Sequence, residues 1–103
     1  MAYKVEIAPL ANKDLEKILD YILRELSNPS DAADLLAEVE SCYSSLEKMP
    51  EMYERCRDVR LKAMGYCRIT VNNYVIIYRV MESIKTVYIM RCFYDGQDYE
   101  KLI

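Results

Sequence analysis

The chain has 103 residues, 52% of them hydrophobic, and carries 14 basic against 17 acidic side chains for a net charge of −3. That length supports one core, so residues 1–103 are expected to form a single domain. Two glycines and three prolines argue against a disordered tail or a Pro-rich linker, and no apolar run reaches the ~20 residues that a membrane-spanning helix needs.

The N-terminus lacks a basic segment followed by an apolar one, so nothing marks it for secretion, and a cytoplasmic location away from membranes is expected. Cys42, Cys56, Cys67 and Cys92 stand at spacings of 14, 11 and 25 with no C-x-x-C, and the chain has no histidine. They read as small buried hydrophobes rather than a metal site, and no metal or other cofactor is expected. Charge is unevenly placed. Residues 1–54 hold 5 basic and 12 acidic side chains, residues 55–103 hold 9 basic and 5 acidic. Contact with a polyanion is therefore confined to the C-terminal half, where the cations equally well do no more than solvate an exposed sheet face.

In chain order, Tyr3-Lys4-Val5-Glu6-Ile7 alternates as a short strand does. Pro9 suits a first helical turn, and Ala11, Leu15, Ile18, Leu19, Ile22 and Leu26 then recur at helical spacing opposite Lys13, Glu16, Lys17, Asp20 and Arg24. Asn28-Pro29-Ser30-Asp31 breaks that helix and begins another, in which Ala32, Leu35, Leu36, Val39, Cys42, Tyr43 and Leu46 form the apolar stripe up to Met49-Pro50. So short a link predicts an antiparallel helical hairpin. Residues 51–64 are the least regular. Arg55, Arg57, Arg60 and Lys62 cluster there, and Val59 and Leu61 alternate with Arg60 and Lys62 as in a short strand.

Three runs rich in Val, Ile and Tyr follow between Gly65 and Tyr94, the pattern of an antiparallel meander. Asn72-Asn73 tolerates positive φ at both positions, which predicts a two-residue turn with Val71 opposite Tyr74, Ile69 opposite Ile76 and Arg68 opposite Ile77. With Met81 to Lys85 as the second loop, Ile69, Val71, Tyr74, Ile76, Tyr78, Tyr88, Met90, Cys92 and Tyr94 share the core face. Arg68, Thr70, Val75, Ile77, Arg79, Val87, Ile89, Arg91 and Phe93 share the other, as an arginine-lined hollow. The fold class is α+β: an N-terminal strand and a helical hairpin packed on a small, mainly antiparallel, twisted sheet.

The order of these elements, with Gly65-Tyr66-Cys67-Arg68, Asn73-Tyr74-Val75-Ile76-Ile77-Tyr78-Arg79-Val80, Arg91-Cys92-Phe93-Tyr94 and Asp98-Tyr99-Glu100-Lys101-Leu102, resembles the RelE/ParE superfamily of bacterial type II toxins. Ala11, Asp14-Leu15, Tyr21-Ile22, Leu46 and Pro50 fit the same pattern, so the likeness spans nearly the whole chain. It implies a growth-inhibiting toxin held inactive by a cognate antitoxin that wraps the helices and the sheet face. Members of the superfamily either cut mRNA in the ribosome, as mRNA interferases, or inhibit DNA gyrase without nuclease chemistry, and some are known for plasmid stabilization. Nuclease members carry a basic residue where this chain has Val75, and His, Tyr or a basic residue where it reads Asp95-Gly96-Gln97.

Three expectations follow. The first is a ribosome-dependent mRNA endonuclease, with Arg68, Arg91 and Tyr94 as candidate catalytic residues and Arg57, Arg60, Lys62, Tyr66, Arg79 and Tyr99 as candidate RNA- or target-binding residues. Cleavage through the 2′-hydroxyl needs a base, an acid and cations; without histidine, a perturbed tyrosine or lysine has to move the proton, and arginine supplies the charge. The second is a non-enzymatic gyrase inhibitor, and the third a catalytically silent relative that binds only its antitoxin.

Overall fold

The computed structural model describes residues 3–49 and 59–94. Strand β1 (Lys4–Ile7) leads into helix α1 (Pro9–Arg24), which Pro9 opens and which ends before Ser27, whose φ of 49° turns the chain. Helix α2 (Pro29–Lys48) starts at Asn28, whose side-chain oxygen accepts a 3.2 Å hydrogen bond from the Asp31 N–H and so satisfies one of the free amides of the first turn. A short helix α3 (Val59–Ala63) precedes β2 (Tyr66–Val71), β3 (Tyr74–Met81) and β4 (Thr86–Tyr94). The four strands form one sheet in the order β1-β4-β3-β2, with β1 parallel to β4 and the other pairs antiparallel.

The short strand expected at Val59 and Leu61 is instead α3. Four alternating residues are too few to separate a strand from a helical turn. Gly65, at φ 84°, follows the helix, and its N–H bonds the Lys62 carbonyl at 3.0 Å. The first hairpin has the expected register: Val71 faces Tyr74, Ile69 faces Ile76 and Arg68 faces Ile77. Only Asn72 of the turn pair takes positive φ, at 53°.

The second hairpin differs from expectation twice. Met81 pairs with Thr86, so the connection is the four residues Glu82 to Lys85, a 3-10 turn closed by Lys85 at φ 49°. The pairing then shifts by one residue: Tyr78 faces Ile89 while Ile77 faces Arg91, leaving Met90 as the extra residue of a β-bulge. Because the side-chain period is two, Val87 and Ile89 move to the helix side, where both are fully buried, and Tyr88 moves to the face of Arg79. Met90 packs with the outer cluster. Beyond the bulge the expected order returns, with Cys92 opposite Ile76 and Tyr94 opposite Tyr74.

The main core lies between the hairpin and the sheet, where Ala11 and Ile22 of α1 and Leu35, Val39 and Leu46 of α2 meet Ile69, Ile76, Tyr78, Val87 and Ile89. The opposite face has its own smaller core of Tyr66, Val75, Ile77 and Phe93, each at most 6% exposed. The apolar half of that face is thus packed, where the sequence pointed to a hollow.

Candidate functional site

The register places the cationic residues of the sheet. On the face turned away from the hairpin, one row across β2, β3 and β4 reads Arg68, Ile77, Arg91, and the next reads Tyr66, Arg79, Tyr88. Strands lie ~4.8 Å apart, which puts the backbones of Arg68 and Arg91 about 10 Å from each other. Two of the guanidiniums meet the packed aromatic surface beneath them. Arg79 sits 5.9 Å from the centre of the Tyr66 ring and Arg91 4.6 Å from that of Phe93, contacts of the cation–π kind. Arg68 Nη2 donates to Thr70 Oγ1 at 3.3 Å.

Arg91 has a second anchor. Its Nε and Nη2 donate to Asp14 Oδ2 and Oδ1 of α1 at 2.7 and 3.2 Å, and the Cys92 N–H donates to the same Oδ2 at 3.1 Å. The bond to Asp14 raises the Arg91 pKa above its ordinary value. Behind this contact, burial first and the Asp14 charge second push the Cys92 thiol up to about 12, and burial, then Cys92 and Cys42, lifts Tyr43 to about 12. A thiol so held is a poor nucleophile.

Tyr94 lies on the opposite face from Arg68 and Arg91. Its ring meets Tyr74 edge-on, 5.9 Å between centres, and it lines a cleft of about 530 Å³ with Lys17, Ile18, Tyr21, Leu26, Asn73 and Tyr74. Burial raises the Tyr74 pKa. Of the candidate residues, Arg68, Arg79, Arg91 and Tyr66 share one face. Tyr66 is buried beneath Arg79. Arg60 and Lys62 stand exposed on α3, which packs beside β2; Tyr94 stands apart, and Arg57 and Tyr99 lie outside the described residues. Asp14 entered the sequence reading only as part of a motif. The available signal was its place on α1 at the flank of the apolar stripe, next to Leu15.

What this arrangement can do is electrostatic. Permanently charged guanidiniums on a rigid sheet can position and neutralise an anion without titrating. Among the described residues no group of three or more His, Cys, Asp or Glu side chains could hold a metal ion, and no helix is long and apolar enough to cross a membrane.

A helical hairpin laid on a four-stranded, mostly antiparallel sheet is an α+β fold of the RelE/ParE kind. The chain belongs to the family described as ParE toxin of the type II toxin-antitoxin system, parDE, which it matches over residues 5–99. Its fold is that of the ParDE system of P. aeruginosa (TM-score 0.72, 19% identity, 90% of this chain and 96% of that one). A mutant of E. coli toxin RelE in the free state shares it as well (0.69, 12%, 98% and 93%). So does the toxin-antitoxin complex RelBE2 of Mycobacterium tuberculosis (0.64, 23%, 91% and 99%). No curated protein matches the chain.

Proposed function

We propose that this toxin arrests growth by acting on mRNA in the ribosome through its arginine-bearing face, and that a cognate antitoxin holds it inactive. The register carries the reading, since it gathers Arg68, Arg79 and Arg91 on one face, with Arg60 and Lys62 on the helix beside β2. Such a row suits the successive phosphates of single-stranded RNA, and arginine stabilises the extra negative charge of the cleavage transition state. The complexes among its structural neighbours support the antitoxin partner. Expression of the chain without antitoxin should stop growth and leave cut transcripts. If Arg68→Ala combined with Arg91→Ala leaves both effects intact, the arginine face is not the site.

A second reading, a non-enzymatic inhibitor of DNA gyrase, is favoured by a different observation. Tyr94 stands on the other side of the sheet and Arg91 is already bonded to Asp14, so Arg68, Arg91 and Tyr94 do not meet at one point. Loss of supercoiling on expression, with transcripts intact, supports it; normal supercoiling during arrest excludes it. Unchanged growth without antitoxin would mark a silent relative that only pairs with its antitoxin.

A further inference from the structure

Asp14 belongs to α1, yet it reaches the arginine-bearing face around an open edge. The last pair between β1 and β4 is Ile7 with Ile89, and β4 runs on to Tyr94 without β1 beside it. Asp14 fills that gap. Both of its carboxylate oxygens take Arg91 donors, and Oδ2 also takes the Cys92 N–H. The Asp14 and Arg91 side chains are 15% and 22% exposed, whereas both partners of Lys4–Glu6, Arg24–Asp20 and Lys85–Glu82 are at least 43% exposed. A pair so far out of water is weakly screened and geometrically fixed.

We infer that Asp14 is a positioning residue for the arginine-bearing face: it holds Arg91 with an internal carboxylate that an RNA phosphate must displace. The inference rests on the proposal that this face receives RNA. Carboxylate and phosphate present the same pair of oxygens to the same edge of a guanidinium, so they compete for Nε and Nη2. The Cys92 N–H keeps the carboxylate in place whether or not Arg91 is bound to it. Arg91 can therefore change partners while α1 stays fastened to β4.

The test is fluorescence anisotropy of a labelled oligouridylate on the parent, Asp14→Asn, Arg91→Gln and the double variant, each at two salt concentrations. Asp14→Asn keeps an amide oxygen for the Cys92 N–H and drops the charge. It should bind roughly tenfold more tightly, with a salt dependence steeper by about one phosphate contact. That gain should vanish without Arg91. An equal gain with and without Arg91 means that only net charge changed, and overturns the inference; so does no gain in an Asp14→Asn chain that keeps its thermal transition. If Asp14→Asn does not fold, Asp14→Ser, with a hydroxyl acceptor and no charge, takes its place under the same criteria. A parent that fails to bind the oligouridylate overturns the inference by removing its premise that this face takes RNA by itself, while cut transcripts on expression test the mRNA reading separately; a parent that binds, with Asp14→Asn unaltered, refutes only the role of Asp14.

Discussion

Replacing Ile77 by alanine decides whether the face that bears the arginines rests on an open hollow or on a packed layer. Ile77 is fully buried between Arg68 and Arg91 in its row, and Tyr66, Val75 and Phe93 are buried with it. The substitution removes three carbons, which at about 0.8 kcal/mol each loses roughly 2.4 kcal/mol of transfer free energy. The cavity left behind brings the cost to about 3–4 kcal/mol. In a chain of this length each kcal/mol lowers the thermal midpoint by about 4–8 °C, so a drop of roughly 12–30 °C is expected. Urea unfolding followed by circular dichroism gives the free energy directly. Thr70→Ser, an exposed change on the same face that keeps the hydroxyl to which Arg68 donates, should stay within about 0.5 kcal/mol. A loss under about 1 kcal/mol for Ile77→Ala would show that this face is not packed, and the picture of guanidiniums lying on a filled aromatic surface would fail with it.

Asn72 holds the first hairpin at φ 53°, where a β-branched side chain is strained. Asn72→Val should cost about 1–2 kcal/mol in urea unfolding, and Asn72→Gly should cost little; equal values for the two would mean that the turn is not strained at this position. The Cys92 thiol sets an alkaline limit. Its folded pKa, about 12, lies above the roughly 8.5 of an unfolded thiol. The folded chain therefore keeps a proton that the unfolded chain releases. The contribution is whole below about pH 8.5 and is lost as the pH climbs toward 12. Unfolding free energies of the parent should fall between pH 8.5 and 10 more steeply than those of Cys92→Ala, and parallel curves would contradict the burial argument. Tyr43, lifted to about 12 from an ordinary value near 10, joins only above that window.

Much of the architecture is written in short-range chemistry. Pro9, the Asn28-Pro29 break and the 3.6-residue stripes define the hairpin, because caps and periodicity act within a few residues. Asn72-Asn73 sets the register of β2 and β3 for the same reason, and with it the row that holds Arg68 opposite Ile77. The resemblance to the RelE/ParE toxins was carried by Gly65-Tyr66-Cys67-Arg68, Asn73 to Val80, Arg91-Cys92-Phe93-Tyr94 and Asp98 to Leu102 in their order along the chain.

Tertiary structure decided what depends on which surfaces meet. Alternation alone placed Tyr88 with the core and Ile89 outside it; the bulge at Met90 reversed them, because β4 must bury Val87 and Ile89 under the helices and then return Cys92 to the same side. Val59 and Leu61 looked like a strand, since five residues carry too little periodicity to identify a helical turn. The union of Asp14 with Arg91 and Cys92 spans more than seventy residues of sequence. No local pattern announces it. It arises only because β1 ends at Ile7 while β4 continues, leaving an edge amide and a guanidinium that a carboxylate from α1 can satisfy together.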